Sequence, residues 1–189
     1  PTPPVSVPGI RLQESLKKGL EKNVCLHFLP EVVKDVEILS NGSFILSAGK
    51  ESTLKKIESK GLILATGRFL GKGLAADRTG IRESLLNLPV TQPGKREMWH
   101  NEDLFHLHGH EINRAGIETD DMFRPLTESS KPFSNNLFAA GSILAHSDWT
   151  RMKCGSGVAI ATAFAAVKAF NSSKPAWPEH GHSHRPQQS

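Results

Sequence analysis

The stretch NLFAAGSILAHSDW, residues 136–149, runs four apolar residues into Gly141-Ser142, and CGSGVAIATAFAA follows at residues 154–166. A glycine at the end of an apolar strand lets backbone approach a ligand without a β-carbon in the way. Ser142 adds a hydroxyl that both donates and accepts. A helix starting near Ser156-Gly157 aims unpaired backbone N–H groups and the positive end of its dipole at the space before it. Gly155, Ser156, Gly157 and Val158 are therefore candidates to hold an anion, either a phosphate or a charge that develops during reduction. A glycine turn followed by a core helix with Ser156 as its cap explains the same residues without a ligand.

Other segments carry further candidates. Arg11, Arg82 and Arg124 each follow Gly-Ile or precede proline. Forked guanidinium donors suit a phosphate ester, although solvated surface ion pairs are the better account of any one arginine alone. WHNEDLFHLHGHE holds His100, His106, His108, His110 and Glu111. On a strand, alternate histidines share a face and suit zinc or copper, but no second ligand cluster closes such a site, and the expectation is no metal. A histidine here would also suit proton transfer near neutral pH. Cys154 precedes the helix entry, where the dipole favours a thiolate, but a small structural residue is the better reading. GKGLAA, residues 71–76, satisfies Gly-x-Gly-x-x-Ala, yet nothing helix-like follows it.

The elements that must position these residues follow from periodicity. Ile10, Leu12, Leu16 and Leu20 predict an amphipathic helix ending near Lys22-Asn23. Val24–Phe28 reads as a short buried strand. Val32–Leu39 and Phe44–Leu46 flank SNGS and predict a hairpin, with Thr53–Ser59 as a third strand. Leu62–Ala65 is a buried strand stopped by Thr66-Gly67. Residues 68–111 are irregular, GIETD at 116–120 reads as a strand and turn, and Asn136–Ala140 is the last strand. Gly157–Phe170, apolar almost all round apart from Thr162 and Lys168, predicts a buried helix packed closely through its alanines. This order implies an α/β layer architecture with an antiparallel excursion.

The totals narrow the function classes. The 189 residues are 38% hydrophobic and carry a net charge of +4, spread along the chain, which does not favour nucleic acid. Cys25 and Cys154 form neither a zinc spacing nor a disulfide framework and suit a reducing compartment. The longest apolar runs are too short to cross a bilayer. The chain opens on Pro1, and PTPPVSVPG reads as linker, so a processed product or the tail end of something longer is expected. The Pro-, His- and Gln-rich residues 173–189 are expected to be a disordered tail.

LILATGRF resembles the strand and Ala-Thr-Gly turn found midway through flavoproteins with dinucleotide-binding folds. GIETDDMFRP followed by NLFAAGS resembles their closing segment, where the strand end meets the flavin's ribityl chain. VPGIRLQESL, TGIRESLLNLPV, FRPL and NLFAAGSIL…CGSGVAIATAFAA, in this order over most of residues 5–170, resemble a flavoprotein subunit family of the anaerobic glycerol-3-phosphate dehydrogenases. The resemblance implies a partial FAD/NAD(P)-binding, Rossmann-like fold with a β-meander and an inserted substrate-side subdomain at about 70–115. Residues 1–172 would be the C-terminal portion of that flavoprotein domain. It also implies FMN or FAD, held by Thr66, Gly67, Gly141, Ser142 and Gly155–Val158, with Arg82 and Arg124 as candidates for the substrate phosphate. The implied reaction oxidises sn-glycerol 3-phosphate and passes electrons towards quinone through catalytic and membrane-anchoring partner subunits. The expected place is cytoplasmic, peripheral to the inner membrane face through a partner. Two departures stand out: many flavoproteins place Asp or Glu where Ser142 stands, and no credible pyrophosphate-cradling glycine turn is present.

Overall fold

The spacing of Ile10, Leu12, Leu16 and Leu20 produces helix α1, Val7–Leu20, in the computed structural model, which describes residues 7–23 and 25–173. The helix starts inside the stretch read as linker. Pro8 is tolerated there because the first turn's N–H groups have no intrahelical partner. The predicted strand Val24–Phe28 is not formed in its described part: Cys25 N–H bonds Asn23 Oδ1 at 3.0 Å and Leu26 N–H bonds Asn23 O at 3.1 Å. Asn23 thus turns the chain, and the exposed residues after it have no partner strand. The chain divides into two compact units, Pro1–Val32 and Val33–Ser189.

The second unit opens on the expected meander. Strands β1 (Val33–Ile38), β2 (Phe44–Ala48) and β3 (Lys55–Ser59) form an antiparallel sheet in the order β1-β2-β3. The Asn-Gly signal lies in the first turn, where Gly42 has φ +80° and Asn41 Oδ1 accepts from Ser43 N–H and Oγ at 2.9 and 2.7 Å. Phe44 anchors the sheet in the core.

Strand β4 (Leu62–Leu64) pairs in parallel with the last strand, Leu137–Ala139, so Leu62 faces Leu137 and Leu64 faces Ala139. Both read as continuous apolar runs because such strands are covered on both faces. Between them the insert supplies a hairpin of β5 (Leu74–Ala76) and β6 (Ile81–Glu83); the final strand is therefore β7. Glu83, buried at 2% exposure, accepts from the N–H groups of Leu85 and Leu86 at 2.9 and 2.6 Å, which ties down the chain after β6. Residues 71–76 enter a strand, not a helix, so GKGLAA lacks the context of a phosphate-binding turn.

Residues 116–120 make isolated bridges instead of the predicted strand: Ile117 pairs with Leu144, and Thr119 with Pro125. Pro125 has no N–H, so a ladder cannot continue through it. The stretch holding His100, His106, His108 and His110 forms turns, not a strand, so these side chains do not share one strand face. Among the described residues, no group of three or more His, Cys, Asp or Glu side chains comes together to hold a metal ion.

A short helix not anticipated from the sequence, α2 (Trp149–Met152), precedes α3 (Gly155–Ser172). Asp148 caps α2 by accepting from Arg151 N–H, and Lys153 at φ +53° turns the chain between the helices. Helix α3 packs on β7: the rings of Phe138 and Phe170 meet edge-on at 5.8 Å, and a β-carbon at Gly61 would lie 2.3 Å from the Phe170 ring. The expectation of a helix buried all round is not met. Only Ala166 is fully buried, while Ile160 and Phe164 are each 72% exposed. Composition records that every face is apolar; which face is covered depends on the neighbours present. Residues 174–189, most of the expected disordered tail, lie outside the described residues. Among the described residues no helix is long and apolar enough to cross a membrane.

Two outcomes follow. Phe138→Ala, which empties a fully buried ring site between β7 and α3, is expected to cost about 3–5 kcal/mol in urea unfolding of the protein carrying this chain. A loss below about 1 kcal/mol would mean the ring site collapses or was never packed. The second concerns Asp77, whose carboxyl is lowered from 3.8 to about 2, first by the Thr79 hydroxyl, then by backbone N–H bonds and Arg82. Because the folded value is the depressed one, its contribution is present above 3.8 and fades as pH falls through about 2. An NMR titration of Asp77 should place its midpoint near 2; a midpoint near 3.8 would show that the turn holds no charge in place.

Candidate functional site

Parallel pairing of β4 with β7 puts the ends of both strands, and the turns that follow them, on one side. Gly67, at φ +71°, ends the first turn, and Gly141, at φ +80°, opens the second. A β-carbon on Gly67 would lie 3.5 Å from Ser142 Oγ, so Thr66-Gly67 and Gly141-Ser142 are neighbours although some 75 residues separate them. Nothing lies within 4 Å of where a Gly141 β-carbon would project. The backbone there is open to whatever approaches.

Thr162 joins this bend to α3. Its Oγ1 accepts from Gly141 N–H at 2.8 Å and donates to Val158 O at 2.6 Å. The one polar residue on the packed side of an otherwise apolar helix is thus the tether between the bend and the helix's first turns. The N-cap of α3 is Cys154, with no side-chain cap bond, and Ser156 lies within the helix and does not serve as that cap. The first-turn N–H groups at Gly155–Gly157 therefore have no side-chain acceptor at the cap position. Gly157, like Gly141, has open space where a β-carbon would stand.

Two cavities occupy the region. One, of about 450 Å³, is lined by residues including Gly67, Arg68, Asn113, Ser142 and Trp149. The other, of about 390 Å³, is lined by Trp149, Lys153, Cys154, Gly155, Ser156 and Gly157. Trp149 borders both. The bend and the helix entry are therefore tethered neighbours whose openings are divided by one indole, which also lies 3.2 Å from a β-carbon built on Gly155.

Arg68 holds the floor, and sequence reasoning missed it. At 8% exposure its guanidinium donates to the carbonyls of Asn113, Leu144 (2.8 Å) and Ser147 (2.9 Å). Burial pushes its pKa below the ordinary arginine value, and the charge of Asp148, itself buried, raises it. An arginine directly after a strand-ending glycine reads as a solvated turn residue; the available hint was its place within LILATGRF. Four buried atoms here lack a hydrogen-bond partner: Thr66 Oγ1, Arg68 Nε, Asp148 Oδ2 and Trp149 Nε1. Buried polar atoms are seldom left unpaired, and several together mark a site that ligand or water completes.

The phosphate candidates lie elsewhere and are already engaged. Arg82 meets Asp77 at 2.6 Å with its side chain 62% exposed. Arg124 meets Asp120 at 2.6 Å and donates to Asn135 Oδ1 at 3.1 Å. Burial pushes the Asp120 carboxyl up, but hydrogen bonds and charge from Arg124 carry it below its ordinary value.

These residues fit a flavin in kind. Two glycines with open β-carbon positions admit a flat ring system and its chain, a hydroxyl at Ser142 suits ribityl oxygens, and an uncapped helix start suits the acceptor edge of a pyrimidine. Comparison with known proteins points the same way. The family model described as FAD binding domain matches residues 1–158. An anaerobic glycerol-3-phosphate dehydrogenase subunit of Vibrio vulnificus strain YJ016 is 31% identical over 168 residues, covering 89% of this chain and 38% of the relative. The corresponding probable anaerobic glycerol-3-phosphate dehydrogenase subunit of Halobacterium salinarum strain R1 is 30% identical over 169 residues, 89% of this chain and 39% of the relative. The chain thus spans less than two-fifths of the length of these curated relatives. No solved structure matches it.

Gly157→Ala separates a structural helix start from a ligand-facing one. Replacing a helical glycine whose β-carbon meets nothing should raise stability by about 0.5–1 kcal/mol in thermal or urea unfolding. If a flavin lies against this turn, its affinity, followed by fluorescence quenching, should fall about tenfold, the equivalent of ~1.4 kcal/mol. Higher stability with unchanged flavin affinity would remove Gly157 from the site.

Proposed function

The chain belongs to the FAD binding domain family, and from that premise we propose that it is the flavin-holding part of a glycerol-3-phosphate dehydrogenase subunit. The oxidised substrate would be sn-glycerol 3-phosphate and the product dihydroxyacetone phosphate, with electrons leaving for quinone through catalytic and membrane-anchoring partner subunits. Substrate and partner subunits are inferred from the relatives' names and the motif order, and quinone from the motif resemblance alone. The observation that carries the reading is the adjacency of Gly67, Ser142 and the tethered start of α3 at one end of the β4–β7 pair. Ligands in open α/β sheets gather at that end.

The flavin, FMN or FAD, would supply a two-electron acceptor for the hydride leaving the alcohol carbon. This chain's residues would do the rest by position. Gly141 and Ser142 would receive the ribityl chain, with the serine hydroxyl in place of the stronger carboxylate acceptor found in many flavoproteins. The N–H groups of Gly155, Ser156 and Gly157 would hold the negative charge that reduction places at the pyrimidine edge, whereas the N–H of Val158 is already given to Cys154 O at 2.9 Å, which removes Val158 from the expected set. Thr66-Gly67, closed from behind by Gly71 and Gly73, would complete the wall. Trp149 would limit water between the two openings. We further propose that residues 1–172 act as the C-terminal portion of the flavoprotein domain, that the insert at about 70–115 lies on the substrate side, and that attachment to the inner membrane face is through a partner.

One observation favours a second reading, in which the subunit carries flavin and relays electrons without touching substrate. Arg82 and Arg124 each already hold a carboxylate, Asp77 and Asp120, so neither stands as a free phosphate clamp.

Both readings are tested on the assembled complex and on the subunit carrying this chain, reconstituted anaerobically with each flavin. Glycerol 3-phosphate should bleach the bound flavin of the isolated subunit. Absence of bleaching there, with bleaching in the complex, would favour the relay. Failure to retain either flavin would overturn both. If the arginines clamp substrate, Arg82→Ala or Arg124→Ala should raise KM about tenfold, the worth of one charge-assisted contact; an unchanged KM would assign the phosphate to other residues.

A further inference from the structure

The insert holds a second concave feature, apart from the cavities bordered by Trp149. The β5–β6 hairpin and the segment 92–99 enclose a cavity of about 260 Å³ whose lining includes Arg78, Thr79, Gln92, Arg96 and Trp99. Its two arginines come from different segments, and among the described residues neither forms an ion pair. Both side chains are exposed, so their guanidiniums keep their donors available to an anion that enters the cleft.

The cleft is held in shape by bonds that involve neither arginine's head group. The side-chain amide of Gln92 accepts from Ile81 N–H at 2.7 Å and donates to Ile81 O at 2.8 Å, which fixes segment 92–99 against the first residue of β6. On the opposite wall, Asp77 Oδ1 accepts from Thr79 N–H, Thr79 Oγ1 and Gly80 N–H at 2.8, 2.6 and 3.2 Å. Its Oδ2 is taken by Arg82 at 2.6 Å. The one carboxylate beside Arg78 in sequence is thereby occupied, and the backbone carrying Arg78 is fixed. Arg96 sits 5.7 Å over the ring of Trp99, which is only 7% exposed. That stacking restrains a side chain that would otherwise sample many rotamers.

We propose that this cleft binds the phosphate group of a small metabolite, clamped between Arg78 and Arg96. Guanidinium forks pair with phosphate oxygens two at a time, and a volume of about 260 Å³ admits a phosphate with a short polar stem. The same chemistry serves free phosphate and a phosphate monoester. The proposal does not rest on the flavin reading, because no residue named for the flavin lines this cleft.

Isothermal titration and Trp fluorescence of the subunit carrying this chain would test it, at constant ionic strength, with inorganic phosphate, glycerol 3-phosphate and glycerol as probes. Saturable binding of either phosphate, with glycerol silent, is the expected result. Binding should weaken at least tenfold in the Arg78→Gln/Arg96→Gln double variant and recover in part in the Arg78→Lys/Arg96→Lys variant. Tighter binding of glycerol 3-phosphate than of inorganic phosphate would identify a monoester site, and equal binding a phosphate site; both support the clamp. Three results overturn it: heats indistinguishable from sodium chloride, equal affinity in wild type and the Gln variant, or loss of binding only in the Arg82→Gln/Arg124→Gln variant. Circular dichroism of each variant separates lost binding from lost folding.

Discussion

The guanidinium of Arg68 is what the candidate site depends on. It lies beyond the Thr66-Gly67 turn and fastens three carbonyls, those of Asn113, Leu144 and Ser147, from two distant stretches of chain. Removing a cation from water is costly unless it is paired or fully hydrogen-bonded. Three carbonyl acceptors and the field of Asp148 meet most of that requirement. A charge satisfied only in this arrangement makes other arrangements costly. The end of the insert, the bend after β7 and the approach to α2 are consequently held in one relation to the β4 turn. Thr162 then ties the bend to α3, so two polar side chains register what apolar packing alone would leave free to slide.

The parts legible in the sequence were those with strong local physics. Continuous apolar runs gave β4 and β7 because parallel strands are buried on both faces, and Asn41-Gly42 gave the meander's first turn. The ordered motifs identified the family and the flavin. What escaped were features created by tertiary partners. Arg68 looks like any turn arginine until three carbonyls from elsewhere surround it. Helix α2, four residues long, has too short a period to register. The stretch 116–120 has strand-like residues, yet its partner at Pro125 cannot extend a ladder. Surface ion pairs were the alternative to a phosphate clamp for Arg82 and Arg124, and the fold forms them; that the partners are Asp77 and Asp120 was not legible, since proximity across a hairpin or a turn is a property of the fold.

Helix α3 illustrates a related limit. Its sequence is apolar on all sides, and the chain covers one side while Ile160, Phe164 and Val167 remain exposed. Hydrophobicity reports what a segment tolerates against it, whereas coverage reports what has been brought there. The buried side was nevertheless marked, by Thr162 and by small alanines that permit close approach to β7.

The loop from Thr66 to Gly73 is packed backbone against backbone: a β-carbon at Gly71 would lie 2.3 Å from Thr66 O, and one at Gly73 2.1 Å from Gly67 O. Its thickness is thus set by the contact radii of main-chain atoms, quantities that no exchange of side chains elsewhere can alter. A redesigned core could shift the surrounding strands by fractions of an ångström, and this wall would travel as a rigid gauge without changing its own width. Engineering that seeks a wider or narrower opening has to work on the Trp149 side, where dimensions are written in side chains.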